Sequence, residues 1–165
     1  MSMINRTDES KHTRYMNIAI NEAKKAEQED EVPIGAVLID EHGIILAAAH
    51  NQTLHLCDPT AHAEILALRH AANKIQNYRL LKTTLYTTIE PCIMCMGAII
   101  HARVDTLVFG TMDPKWGAAG SLYNFTLDTQ LNHQPKVIGG ICEDSCKVLM
   151  QRFFRQRRIS IARQG

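Results

Sequence analysis

The sequence predicts an α/β fold: a mixed, mostly parallel five-stranded sheet covered by helices on both faces. Three observations carry that expectation. Apolar positions alternate between helical and strand spacing along the chain, helical segments separate the later strands, and turn residues mark most switches. Residues 13–29 read as a helix, because Met16, Ala19, Ile20, Ala23 and Ala26 repeat at helical spacing. Residues 32–39 read as a buried strand, and Asp40-Glu41-His42-Gly43 turns the chain into a second strand at 44–49, giving an antiparallel hairpin. Asp58-Pro59-Thr60 is a helix-start signal, followed by an apolar face of Ile65, Leu66, Leu68 and Ala72.

A third strand is expected over 84–89. Pro91 then suits the first position of a short helix, where its missing N–H costs nothing, and that helix closes near His101. Residues 106–109 read as the fourth strand and 110–121 as a Gly-rich loop. Residues 136–138 supply a last strand and 143–158 a terminal helix. The strand–helix–strand passages favour parallel pairing.

At 165 residues, one domain spanning 1–165 is expected, large enough to bury a core without disulfides or metal. No apolar run is long enough to span a membrane, and the polar opening lacks the hydrophobic region of a secretory signal. A cytoplasmic location follows, and there five cysteines read as metal-binding or redox residues rather than staples. The net charge of +1 excludes an argument for nucleic-acid binding from the whole chain. Its distribution is more informative. Residues 27–31 are acidic, whereas beyond Asp144 the only charges are Lys147, Arg152, Arg155, Arg157, Arg158 and Arg163. A basic end of this kind is either a phosphate footprint or a solvated helix face.

The chemistry lies in two short segments, His62-Ala63-Glu64 and Pro91-Cys92-Ile93-Met94-Cys95. They offer three zinc-type ligands, His62, Cys92 and Cys95, and a separate carboxylate, Glu64. Structural zinc sites usually have four protein ligands, while catalytic ones keep a position open for water. Cys92 and Cys95, three residues apart at a helix start, can share one ion, and the helix dipole favours their thiolates. Glu64 is then the candidate acid/base for a metal-activated water. Hydrolytic deamination of an amidine-like carbon is the reaction these parts suit. Two other readings stay open: a thioredoxin-like Cys-x-x-Cys, and a structural zinc site closed by His101, Cys142 or Cys146. Cys142 and Cys146 read more simply as small buried residues, Cys57 has no identified partner, and His12, His42, His55, His70 and His133 read as surface or packing residues.

The chain resembles the cytidine deaminase-like zinc superfamily and, within it, the bacterial tRNA-specific adenosine deaminases. The likeness covers nearly the whole chain. It runs through Val32-Pro33-Ile34-Gly35-Ala36-Val37, Asp58-Pro59-Thr60-Ala61-His62-Ala63-Glu64 and Glu90-Pro91-Cys92-Ile93-Met94-Cys95, then Phe109-Gly110, the 113–121 loop and Phe153-Phe154-Arg155. The resemblance implies a three-layer α/β/α fold, a homodimer, one zinc ion per subunit on His62, Cys92 and Cys95, and Glu64 as proton shuttle. It also implies conversion of adenosine to inosine at the wobble position of a tRNA anticodon. Asn51 matches the family's base-binding Asn, and Ala63, Asp113, Lys115, Phe153 and Arg155 are the further expected substrate contacts. Phe153 and Phe154 among arginines suit stacking against splayed bases. Two other functions compete: a free-base or nucleoside deaminase acting on guanine or cytosine, and a non-catalytic zinc protein that binds RNA.

Overall fold

A computed structural model describes residues 6–164, so the first five residues, on which the reading of the polar opening partly rested, lie outside the described part. The element order is α1 (Arg6–Gln28), β1 (Gly35–Ile39), β2 (Ile45–His50), α2 (Ala63–Ile75), β3 (Thr84–Ile89), α3 (Ile93–His101), β4 (Thr106–Thr111), β5 (Lys136–Ile138) and α4 (Glu143–Gln164). A single 3₁₀ turn at Phe125–Leu127 interrupts the long connection between β4 and β5.

The five strands form one mixed sheet in the order β2-β1-β3-β4-β5. β1 pairs antiparallel with both β2 and β3, while β3, β4 and β5 run parallel. Half of the pairings are therefore parallel rather than most. The cause is topological: after the hairpin the chain crosses over and inserts β3 on the far side of β1, aligned with β2.

Side chains alternate across the pleat and divide the core in two. Ala36 and Leu38 of β1, Leu85 of β3 and Leu107 and Phe109 of β4 pack with Leu66 of α2 and with Met96 and Ile99 of α3. Val37, Ile39, Tyr86 and Val108 point the other way, onto Met16, Ala19, Ile20 and Ala23 of α1 and Leu149 of α4. The result is three layers, α2 and α3 on one side and α1 and α4 on the other. The close fit of α1 depends on Gly35, where a Cβ would lie 1.9 Å from the Ala19 carbonyl oxygen.

Several boundaries differ from the periodicity. The first strand begins at Gly35 rather than residue 32, since Pro33 has no N–H for the ladder and Ile34 donates to Val32 O in a turn. The second strand runs to His50. Asp58 closes a turn by accepting from the Thr60 amide and hydroxyl, and α2 starts later, with His62 as its N-cap. Likewise Cys92, not Pro91, opens the third helix as its N-cap. Both outer helices are longer than their apolar periodicity suggested, α1 beginning at Arg6 and α4 continuing to Gln164.

Candidate active site and zinc centre

The register brings four loops to one edge of the sheet. Gly35 lies opposite His50, Ala36 opposite Thr87, and Ile89 opposite Thr111, so the start of β1 and the ends of β2, β3 and β4 share that edge. Beyond it lies a cavity of about 650 Å³ walled by Asn51, His62, Glu64, Cys92, Asp113 and Trp116, with Val32, Ile34, Ile93, Met150 and Phe154 as apolar lining. This is within the usual size range of small-ligand sites, which are mostly apolar with a few placed polar groups.

Two of the three candidate ligands are helix N-caps, His62 on α2 and Cys92 on α3, and Cys95 follows in the first turn of α3. His62 Nδ1 lies 3.7 Å from Cys92 Sγ and 3.5 Å from Cys95 Sγ, and all three donor atoms lie within 4.8 Å of one another. Tetrahedral zinc with ordinary bond lengths requires N···S edges of about 3.6 Å. The donor set and its spacing therefore fit zinc. One of the two thiols is already biased toward it. Cys92 is pulled down to about 4, first by the hydrogen bond with Cys95 and further by His62. Cys95 is raised, first by its hydrogen bond with Cys92 and further by burial.

Among the described residues, no other His, Cys, Asp or Glu joins this group. His101 ends α3 in a separate concavity beside Tyr78 and Leu80. Cys146 is buried in the core under α4, and Cys142 packs against the same cluster just before that helix. A closed four-ligand site is thus not built from these residues, and the Cys-x-x-Cys pair lies together with His62.

Three carboxylates are buried around the cavity, and their hydrogen bonding separates their roles. Glu31 accepts the amides of Leu54 at 2.7 Å and His55 at 2.8 Å on one oxygen, and Asn51 Nδ2 at 3.3 Å and Thr53 Oγ1 at 3.1 Å on the other. Glu90 accepts from Asp113, Ala119 and Ser121 in the opposite loop. Glu64, 2% exposed, retains an oxygen, Oε2, with no partner. Burial pushes the Glu64 carboxyl up to about 7, so it can exchange protons near neutral pH. Of the three, Glu64 alone has an oxygen free for chemistry.

The other expected contacts are distributed unevenly. Asn51 lines the cavity, its Nδ2 held by Glu31 and its Oδ1 buried without a partner. Ala63 is buried as the first residue of α2, between ligand and carboxylate. Asp113 borders both the cavity and a second groove of about 880 Å³, which Lys115, Lys147, Arg155 and Arg158 line. Phe154, not Phe153, faces these hollows: Phe153 is 6% exposed, with the Arg157 guanidinium over its ring. Alternation around a helix places one of two adjacent aromatics in the core, and sequence alone does not say which.

Arg152 is likewise paired, bidentate on Glu27, and Arg157 donates to Asp30 O, so part of the acidic stretch neutralises part of the basic tail. Trp116, 64% exposed at the junction of cavity and groove, was not anticipated, nor were Glu31 and Glu90. The available signal was an acid just ahead of a proline in an apolar stretch, Glu31-Val32-Pro33 and Glu90-Pro91.

On this fold, such a centre defines a zinc-dependent deaminase. Residues 9–111 match the cytidine and deoxycytidylate deaminase zinc-binding region. The chain is 48% identical over 145 residues to a tRNA-specific adenosine deaminase of Haemophilus influenzae, covering 88% of this chain and 84% of the relative. A solved structure from a study of A-to-I editing by tRNA:A34 deaminases superposes with a TM-score of 0.80 at 42% identity, covering 83% of this chain and 99% of the other. A guanine deaminase from Nitrosomonas europaea shares the fold more distantly, with a TM-score of 0.74 at 25% identity over 86% of this chain and 83% of the other. The chain belongs to the tRNA-specific adenosine deaminase family.

Proposed function

We propose that residues 1–165 work as one zinc deaminase domain, a cytoplasmic homodimer that converts the wobble adenosine of a tRNA anticodon to inosine. The observation that carries this reading is the basic groove opening directly from the zinc cavity. Asp113, Trp116, Met150 and Phe154 line both hollows, and Lys115, Lys147, Arg155 and Arg158 line the groove. A free base needs only the cavity. A base presented on a strand also needs cations along the backbone and aromatic faces for its neighbours, which Trp116 and Phe154 offer. An anticodon base is unpaired, so extruding it costs less than opening a duplex. The dimer is supported by a hollow beside α2 and α3 that the exposed Tyr78 lines together with the buried Ile65 and Leu68. Among the described residues, no helix is long and apolar enough to cross a membrane.

His62, Cys92 and Cys95 would hold the zinc, which when bound lowers the pKa of a water molecule and so supplies the nucleophile. Glu64 Oε2 takes a proton from that water and returns it to N1 of the purine as the C6–O bond forms. The same carboxylate then carries the second proton to the amine, which leaves as ammonia and yields the inosine carbonyl. The Asn51 amide, fixed by Glu31, presents Oδ1 to a donor of the substrate. Lys115 and Arg155 hold phosphates and Phe154 stacks, with Phe153 beneath it as support.

The test is direct. Zinc-loaded protein should release inosine from an ACG-anticodon stem-loop and leave guanine and cytosine unchanged. Turnover of a free base with none of the RNA would assign the protein to the free-base branch instead. Binding of the stem-loop without turnover would make it a zinc RNA-binding protein.

A further inference from the structure

Glu90 follows β3, two residues before Cys92, and is 1% exposed. Its Oε1 accepts the amides of Ala119 and Ser121, each at 2.9 Å. Its Oε2 accepts the Asp113 amide at 3.0 Å and the Ser121 hydroxyl. Four donors fill the roughly four lone-pair positions of a carboxylate, so neither oxygen is left for a reacting group.

The loop is fitted closely around this anchor. A Cβ on Gly117 would lie 2.3 Å from Glu90 Oε2, so only glycine lets the backbone pass there. The Ala118 amide donates to Pro91 O at 2.9 Å, and Cys92 forms a β-bridge with Gly117. Both ends of the 113–121 loop thus hang from the segment that carries the zinc thiolates. At its near end, Asp113 Oδ1 accepts the amides of Lys115 at 3.0 Å and Trp116 at 3.3 Å, which sets the wall shared by cavity and groove.

We propose that Glu90 is a positioning residue for deamination: it fixes the Asp113–Trp116 wall relative to Cys92 and Cys95, and so sets how tightly substrate is held. It moves no proton. Its effect reaches the substrate through the loop, so loss of Glu90 weakens ground-state and transition-state binding alike, raising KM while leaving kcat. The kinetic part of this inference rests on the RNA substrate proposed above. The structural part does not.

The variant that tests it is Glu90→Gln in the zinc-loaded protein. A glutamine retains one acceptor oxygen and turns an NH₂ toward donors that previously met a carboxylate. Hydrogen exchange at the amides of Asp113, Ala119 and Ser121 should accelerate at least about tenfold, with β3 amides unchanged, because bonds to a charged acceptor are among the stronger ones. Zinc content should stay at one per chain. KM for the stem-loop should rise about tenfold with kcat within about threefold of the original. Unchanged exchange at those three amides would overturn the inference, as would a fall in kcat at constant KM, which would mark Glu90 as a catalytic residue. If the wild-type protein turns over no RNA, the functional reading fails while the exchange result still decides this one. Should Glu90→Gln not fold, Ser121→Ala removes a single donor to the same carboxylate. It should raise KM about threefold and speed exchange at Ser121, and no change in either would refute the role.

Discussion

Glu31→Gln would exchange the polarity of the group presented to the base. The glutamine side chain keeps one oxygen for the Leu54 and His55 amides, which lie 2.7 Å and 2.8 Å from the native carboxylate. Its NH₂ then takes the place of the oxygen that meets Thr53 Oγ1 at 3.1 Å and Asn51 Nδ2 at 3.3 Å. The hydroxyl can rotate to accept. The Asn51 amide cannot, and relieves the clash of donors by flipping, which turns Nδ2 to where Oδ1 was. A substrate donor then meets a donor, and an unmatched buried polar group costs about 1–3 kcal/mol, so kcat/KM should fall about 5- to 150-fold. Folding stability should fall by only about 1 kcal/mol, since the backbone bonds remain. The assay is inosine formation on the stem-loop at saturating zinc, beside urea unfolding of the same protein. Glu31→Gln combined with Asn51→Asp is the control, because the introduced carboxylate accepts from the introduced amide and still offers an acceptor to the cavity. That pair should recover a substantial part of the lost activity. Activity unchanged in the single variant, or a double variant no better than the single, would refute the assignment of Asn51 Oδ1 as the acceptor.

Three further outcomes follow from the geometry. Glu64→Ala should retain zinc by metal analysis and lose about 10²–10⁴ in kcat, whereas Cys92→Ala should lose the metal itself. Arg155→Ala and Arg158→Ala should each weaken stem-loop binding and reduce the salt dependence of log K by about 0.7, the single-strand value per phosphate contact. A binding titration at several salt concentrations reads this, and an unchanged slope would remove those residues from the RNA path. Gly35→Ala should destabilise the fold by about 1–3 kcal/mol in urea unfolding, because its Cβ would overlap the Ala19 carbonyl oxygen.

The helices and strands were legible because their signals are local. Met16, Ala19, Ile20 and Ala23 repeat at helical spacing in the sequence and sit on one face of α1 in the core. The cluster that could hold a metal was legible for a similar reason, since two of its members are three residues apart and the third comes with its own carboxylate. The tail was less so. Its charges read as either a phosphate footprint or a solvated helix face, yet Arg152 is committed to Glu27, and Arg155 and Arg158 line the groove. Which arginine pairs and which remains free depends on where α4 lies against α1, and no local pattern encodes that.

By itself the sequence determined which side chains could build a water-activating zinc centre, His62, Cys92, Cys95 and Glu64, because side-chain chemistry does not depend on knowing the fold. Only the tertiary structure decided which groups are free to act. Glu31, Glu64 and Glu90 are three glutamates of identical chemistry, all buried beside one cavity. Glu31 and Glu90 are saturated by amides from loops 20 and more residues away, and Glu64 is left with an open oxygen. Hydrogen-bond saturation is set by contacts between distant segments, so the roles of the three carboxylates appear only once the chain has folded.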